Sequence, residues 1–168
     1  MPKSHEDYNG FVLLNTILGG YFGSRLMTNL RERNGYTYGI NSFILNFRDA
    51  DYWSIATQVN INQTDAAINE IHHEIERLKT EPVSNEELKL VKNYIYGTYL
   101  RSFDGPMAMA DRTRAAIDLD LEVSHYKDNL NSMLSISTTD LLKLANKYFN
   151  SESFVSLIIG DSNFSTNQ

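Results

Sequence analysis

Two groups of residues in this sequence are of types that could do chemistry: the four histidines and an arginine–tyrosine pair. A zinc site needs His, Cys, Asp or Glu side chains that meet at one ion. Residues 73–77, HEIER, come close, because a histidine at position 77 would complete both H-E-x-x-H and H-x-x-E-H. Arg77 is always cationic and is no ligand. Apolar residues at 68, 71, 75 and 78 instead predict an amphipathic helix, with the polar side chains of residues 73–77 on the solvated face opposite them, so no metal site is predicted.

The arginine–tyrosine pair consists of Arg31 and Tyr38. Arg31 falls in the last turn of a helix predicted to begin after Gly23, and Tyr38 begins the strand that follows. The Asn34-Gly35 turn folds this strand back, so a guanidinium and a phenol could project into one region. Each residue also has an ordinary structural explanation, because arginine suits a helix C-terminus and tyrosine is common in strands. From the residues alone, both interpretations stay open.

Composition and charge exclude several classes of protein. A hydrophobic fraction of 42% with 21% charged residues is typical of a globular domain and not of a disordered chain. The net charge of −6 argues against nucleic acid as a partner, and the absence of cysteine excludes a disulfide scaffold. No apolar run approaches the ~20 residues that span a bilayer, and the first residues lack a signal-peptide core. We therefore expect a soluble protein that binds no membrane, with its compartment unknown.

Hydrophobic spacing predicts the order helix, helix, strand, strand, several helices, strand. The first helix covers residues 7–18, and Gly19 and Gly20 are expected to end it in a left-handed conformation. Strands are predicted at 36–47 and 52–61, joined by a hairpin loop at 48–51, and residues 154–159 are interpreted as a strand buried on both faces. Ser84 and Glu87 form a predicted capping box. The fold class predicted is α+β, with helices on one face of a mainly antiparallel sheet.

The sequence of residues 15–38 carries a specific resemblance to a known family. The matching blocks are NTILGG at 15–20, SRL at 24–26, NLRE at 29–32 and GYTY at 35–38. Weaker matches continue with EIERL at 74–78, EPV at 81–83 and EEL at 86–88, and then with Lys92-Asn93 and Gly97. The similarity ends at 154–160 and so covers almost the whole chain. This sequence resembles the pitrilysin (insulinase-like) zinc metallopeptidase family. The resemblance is to the C-terminal half of those proteins, which binds no zinc.

The resemblance implies two homologous α+β domains that face one another like a clamshell. The first carries H-x-x-E-H and a downstream glutamate, which bind zinc and activate water, and the second contributes an arginine and a tyrosine. Arg31 and Tyr38 match that pair in identity and spacing. The resemblance therefore implies that they bind substrate and stabilise the negative charge on the scissile carbonyl oxygen. The implied partners are a zinc-bearing homologous domain, in the same parent chain or a separate subunit, and an extended peptide bound as an added strand.

Two departures from the family qualify these expectations. This chain lacks H-x-x-E-H, so we expect no cofactor in it, zinc in the partner domain, and no peptidase activity from the chain alone. It also starts within or just before a helix that follows strands in the family. We therefore expect one domain at 1–160 without its first strand or strands, and a frayed polar tail at 161–168. An unpaired sheet edge of this kind predicts self-association.

Three functions remain open at this point. The first is the non-catalytic half of a zinc peptidase, the second is a structural or inactive subunit of the same fold, and the third is a stand-alone peptide-binding module. Retention of both Arg31 and Tyr38 favours the first, because a scaffold has no need of that pair.

Overall fold

The computed structural model of the chain describes residues 1–47, 50–118, 120, 122, 125–150 and 153–160. Within them lie eight main elements: α1 Tyr8–Asn15, β1 Thr37–Asn46, β2 Asp51–Val59, α2 Thr64–Thr80, α3 Asn85–Arg101, α4 Pro106–Asp118, α5 His125–Ser135 and α6 Thr138–Tyr148. Two π-helical segments, Thr16–Gly20 and Met27–Arg33, and a short 3-10 turn, Ile61–Gln63, complete the order. None of the helices in these residues is both long and apolar enough to cross a bilayer.

The sheet is an antiparallel hairpin of β1 and β2, in which Ser42 lies opposite Ile55 and Ile44 lies opposite Trp53. β1 also packs against α1 and both π-helical segments. The predicted α+β class, with helices packed against an antiparallel sheet, is confirmed. Part of the predicted hairpin loop, residues 48 and 49, lies outside the described residues.

One hydrophobic core joins the hairpin to the helices. α1 contacts α6, and α2 contacts α6 and both π-helical segments. Side chains from all of these elements are almost completely buried, among them Leu14, Ile17, Leu18, Leu30, Ile40, Ile75, Leu78 and Leu141. Burial of one such side chain stabilises the fold by roughly 1.5–3 kcal/mol. The segment that carries Arg31 is therefore anchored in the core through Leu30.

The prediction of a buried strand at 154–159 is wrong. These residues form neither helix nor strand, and the alternate side chains Val155, Leu157 and Ile159 are 94%, 83% and 89% exposed. Phe154 alone packs inward, with its ring 5.8 Å from that of Trp53. A strand buried on both faces needs strands and helices around it, and no described strand pairs with this run. The tail predicted at 161–168 lies outside the described residues.

The expectation for Gly19 and Gly20 is also wrong, because among the described glycines only Gly35 and Gly105 have positive φ. Gly19 is needed for a different reason. A Cβ at this position would lie 2.8 Å from the backbone nitrogen of Ser42, which is too close for any other residue. Its bare backbone lets the first π-helical segment lie directly on β1.

Candidate functional site

Arg31 and Tyr38 lie side by side where the second π-helical segment leads into β1. The guanidinium carbon of Arg31 is 5.2 Å from the centroid of the Tyr38 ring and 4.7 Å from the centroid of the Phe22 ring. Both distances are within the ~6 Å over which a guanidinium and an aromatic face attract each other. We call Phe22, Arg31 and Tyr38 together the arginine corner.

The polar atoms of the arginine corner are available to a ligand. No described residue makes a hydrogen bond or ion pair with the guanidinium of Arg31 or with the hydroxyl of Tyr38. Tyr38 is 90% exposed and Phe22 is 65% exposed. A guanidinium offers five N–H donors and a phenol offers one O–H donor. Such donors can bind a carbonyl oxygen and, more strongly, an oxygen that gains negative charge.

A wide helical turn places Arg31 at the surface. The amide of Asn34 donates at 3.0 Å to the carbonyl of Asn29, five residues earlier, whereas an α-helix would use the carbonyl four residues earlier. The amide of Tyr36 donates to the carbonyl of Leu30 at 2.8 Å. Gly35, with φ of 64°, then reverses the chain. Local π-helical turns are frequent at functional sites, and this one brings β1 back beside the helix end.

A β-bulge turns Tyr38 outward. Thr37 lies opposite Val59 and Ile40 lies opposite Thr57, so three steps along β1 match only two along β2. In a regular strand Tyr38 would share the face of the buried Ile40, since side chains two apart point the same way. The additional residue breaks this alternation, which explains why Tyr38 is exposed.

Two threonine hydroxyls hold the bulge. The hydroxyl of Thr37 lies 2.7 Å from the carbonyl oxygen of Gln58 and accepts from the amide of Gly39 at 3.1 Å. The hydroxyl of Thr57 donates to the carbonyl of Gly39 at 3.0 Å. These bonds satisfy backbone groups that the bulge removes from the regular ladder, and they fix the residues on both sides of Tyr38.

A buried polar network supports the corner from α2. The carboxylate of Glu74 is buried and accepts from the side-chain amide of Asn29 at 2.7 Å and from Arg77 at 3.1 Å. Asn34 in turn donates to the Asn29 side chain at 2.6 Å. The network thus fixes residues on both sides of Arg31. The prediction of a solvated face at 73–77 is wrong for Glu74, because a partner from elsewhere in the chain covers it.

A second brace joins the approach to this segment with α3. Arg25 donates to both carboxylate oxygens of Glu87, at 3.0 and 2.8 Å. The predicted capping box is therefore only half formed. Ser84 accepts from the amide of Glu87 at 3.1 Å, but the Glu87 carboxylate accepts from Arg25 instead of from the backbone amide of Ser84. Burial, together with the nearby charge of Glu87, raises the pKa of Tyr21.

No candidate metal centre is found among the described residues, because no three of their His, Asp or Glu side chains gather closely enough to hold an ion. The chemistry open to the arginine corner is donor chemistry, the binding of oxygen atoms. Sequence reasoning identified two of its three members, and the structure brings those two together. It missed Phe22, whose only signal is a large apolar residue placed beside glycine in a tight turn.

Comparison with known proteins assigns this chain to a family. The sequence model of the peptidase M16 inactive domain matches residues 1–95, more than half of the 168-residue chain. The chain therefore belongs to the peptidase M16 family, in its inactive domain, and the resemblance to the non-zinc half of these peptidases is confirmed.

Individual relatives agree with this assignment. The chain is 25% identical over 112 residues to the uncharacterized zinc protease YmxG of Bacillus subtilis, and 24% identical over 153 residues to an uncharacterized zinc protease of Rickettsia bellii. These matches cover 67% and 91% of this chain, but the chain spans only 27% and 37% of the two relatives. In fold it is similar to the peptidase M16 inactive domain from Pseudomonas fluorescens, with a TM-score of 0.79, 23% identity, and coverage of 89% of this chain and 36% of that one.

Proposed function

We propose that this chain is the non-catalytic half of a zinc-dependent peptidase. In this role it binds an extended peptide and directs the donors of Arg31 and Tyr38 at the carbonyl of the scissile bond. The observation that carries the proposal is that these donors lie together, on a half-buried Arg31 and an exposed Tyr38, and have no partner among the described residues. Hydrolysis places negative charge on the carbonyl oxygen, so a guanidinium and a phenol aimed there bind the transition state more strongly than the substrate.

The zinc and the attacking water belong to a homologous partner domain in this proposal. The partner is either another part of a longer parent chain or a separate subunit. Two features support it: the relatives are named zinc proteases, and this chain spans only about a third of their length. Closure of the two halves would exclude water around the bound peptide and so strengthen the interactions of Arg31 and Tyr38 with the carbonyl.

The peptide would bind by adding a strand to the hairpin. Within the described residues the sheet has two strands, so β1 and β2 each have one edge without a strand beside it. Backbone groups at such an edge hydrogen bond to extended peptides with little dependence on sequence. Because Tyr38 lies in β1, a peptide along this strand would pass close to the arginine corner.

The test is reconstitution with the zinc-bearing domain. We expect no hydrolysis of an unstructured peptide by the chain with zinc alone, and zinc-dependent hydrolysis once the partner domain is added. Arg31→Ala in the assembly should lower kcat/KM about 10-fold or more, the usual scale for the loss of an oxyanion donor. Arg33→Ala, which removes an exposed arginine from the same segment, is the matched control and should retain wild-type kinetics.

Two results would contradict the proposal. Hydrolysis by the chain alone would show that it needs no partner. An unchanged kcat/KM in Arg31→Ala would remove the role of the corner and favour a structural subunit of the same fold.

The exposed run 154–159 supports a further proposal about assembly, namely self-association. Its alternate side chains Val155, Leu157 and Ile159 are exposed, and it contains no charged residue and no proline. Apolar segments of this kind, with backbone groups outside any ladder, pair readily with a strand from another copy.

A further inference from the structure

Phe22 lies at the tip of a short turn that holds it in place. The amide of Ser24 donates to the carbonyl of Tyr21 at 3.1 Å, which closes the turn around Phe22 and Gly23. A Cβ on Gly23 would lie 2.9 Å from the Tyr21 ring, so a larger residue here would have to displace that ring. The Tyr21 ring in turn packs against the ring of Tyr94 in α3, with the two centroids 5.1 Å apart.

Phe22 can hold Arg31 in place without occupying its hydrogen-bond donors, which a charged partner could not do. Arg31 must be held still to act on one oxygen, yet a carboxylate that held it would occupy its N–H donors and neutralise its charge. Aromatic faces attract the guanidinium while leaving its edge free for hydrogen bonds. The rings of Phe22 and Tyr38 both lie within cation–π distance of Arg31.

Phe22 also presents apolar surface where a peptide would lie. Phe22 is 65% exposed, although large apolar residues are normally buried. A side chain next to the carbonyl held by Arg31 would be in reach of this ring. An aliphatic or aromatic side chain would gain from leaving water on contact with it, whereas a polar side chain of the same shape would not.

We propose that Phe22 is a positioning residue for Arg31 and that its exposed ring also contacts an apolar substrate side chain beside the carbonyl that Arg31 binds. The second half of this inference rests on the proposed function. The first half does not, since it concerns only the placement of one side chain.

The positioning role is tested by NMR on the chain itself, through the Nε–Hε signal of Arg31, assigned from its loss in Arg31→Lys. A proton over an aromatic face is shifted upfield by the ring current. Phe22→Leu should move the signal toward the position of an exposed arginine, while Phe22→Tyr, which keeps a ring, should preserve it. Phe47→Leu is the control, because Phe47 is an exposed phenylalanine after the far end of β1. A signal that does not move in Phe22→Leu would overturn the positioning role.

The substrate contact is tested in the assembly with the zinc-bearing domain. Two cleavable peptides are compared, one with leucine beside the scissile bond and one with asparagine, which has nearly the same shape. The wild-type assembly should prefer leucine, and Phe22→Ala should reduce that preference in kcat/KM about 10-fold, the scale of one apolar contact. Phe22→Tyr should retain it. An equal preference in wild type and Phe22→Ala would overturn the contact.

The Arg31→Ala variant separates failure of this inference from failure of the proposed function. If Arg31→Ala loses activity while Phe22→Ala keeps the preference for leucine, only the role of Phe22 as a substrate contact fails. If Arg31→Ala has wild-type kcat/KM, the proposed function fails and the contact with it. The NMR result decides the positioning role in either case.

Discussion

The arginine corner and the run 154–159 both expose large apolar side chains, but they differ in what lies behind those side chains. Behind Arg31 are the fully buried Leu30 and the network of Glu74 and Asn29. Behind Tyr38 is a bulge fixed by threonine hydroxyls. In the run 154–159, within the described residues, Phe154 alone packs against the core.

This difference distinguishes two kinds of exposed apolar surface, one supported by the core and one without such support. A side chain on a fixed base keeps its geometry, which a binding site requires because ordering it costs no further entropy when the ligand arrives. An apolar run without such a base keeps little geometry, and it gains stability only when another strand or surface covers it. This contrast is the basis on which the proposals above give ligand binding to the arginine corner and self-association to the run 154–159.

The largest expected effect contrasts one substitution in the two regions. Leu30→Ala should lower the free energy of unfolding by about 3 kcal/mol, because it leaves a cavity beneath the corner. Leu157→Ala should change it by less than about 0.5 kcal/mol, because Leu157 is exposed. Urea unfolding of both variants measures the contrast. Similar losses in the two variants would show that the run 154–159 is packed against the domain after all.

The buried network gives the next largest effect. Glu74→Gln keeps the shape of the side chain but removes the charge that accepts from Asn29 and Arg77, so we expect a loss of about 2 kcal/mol. The matched control is Glu76→Gln in the same helix. Its carboxylate pairs with Lys79 at the surface and should contribute less than about 1 kcal/mol. The comparison is made by urea unfolding, and equal losses would mean that the network does not support the corner.

Self-association should respond to a charge in the run 154–159 with little change in stability. Leu157→Asp should shift the chain toward monomer in light scattering over a range of concentrations, because charges on an edge oppose strand pairing. Leu90→Asp, the same change at an exposed leucine of α3, should leave association unchanged. A wild-type chain that is monomeric at every concentration would contradict the prediction.

The sequence alone predicts the features that depend on the spacing of residues close together in the chain. The amphipathic pattern of α2, the two alternating strands and the turn at Asn34-Gly35 follow from residues close together in the chain, and the structure has each of them. The meeting of Arg31 and Tyr38 could be predicted for the same reason, since one turn joins them.

The features that sequence missed depend on distant neighbours. Burial of Glu74 requires Asn29, which lies 45 positions earlier, and the bulge at Tyr38 depends on the register with β2. The run 154–159 has the composition of a buried strand, but composition does not supply the strand that must pair with it. Phe22 is recognised as part of the arginine corner only from its distance to Arg31, which the sequence does not give.

The central claim, that Arg31 and Tyr38 act on one carbonyl oxygen, is tested most directly by a double-mutant cycle in the reconstituted assembly. We predict that Arg31→Ala and Tyr38→Phe each lower kcat/KM about 10-fold or more. The double variant should lose less than the product of the two, because neighbouring groups that serve one atom are not independent. Wild-type kcat/KM in both single variants, or losses that multiply fully in the double variant, would contradict the claim.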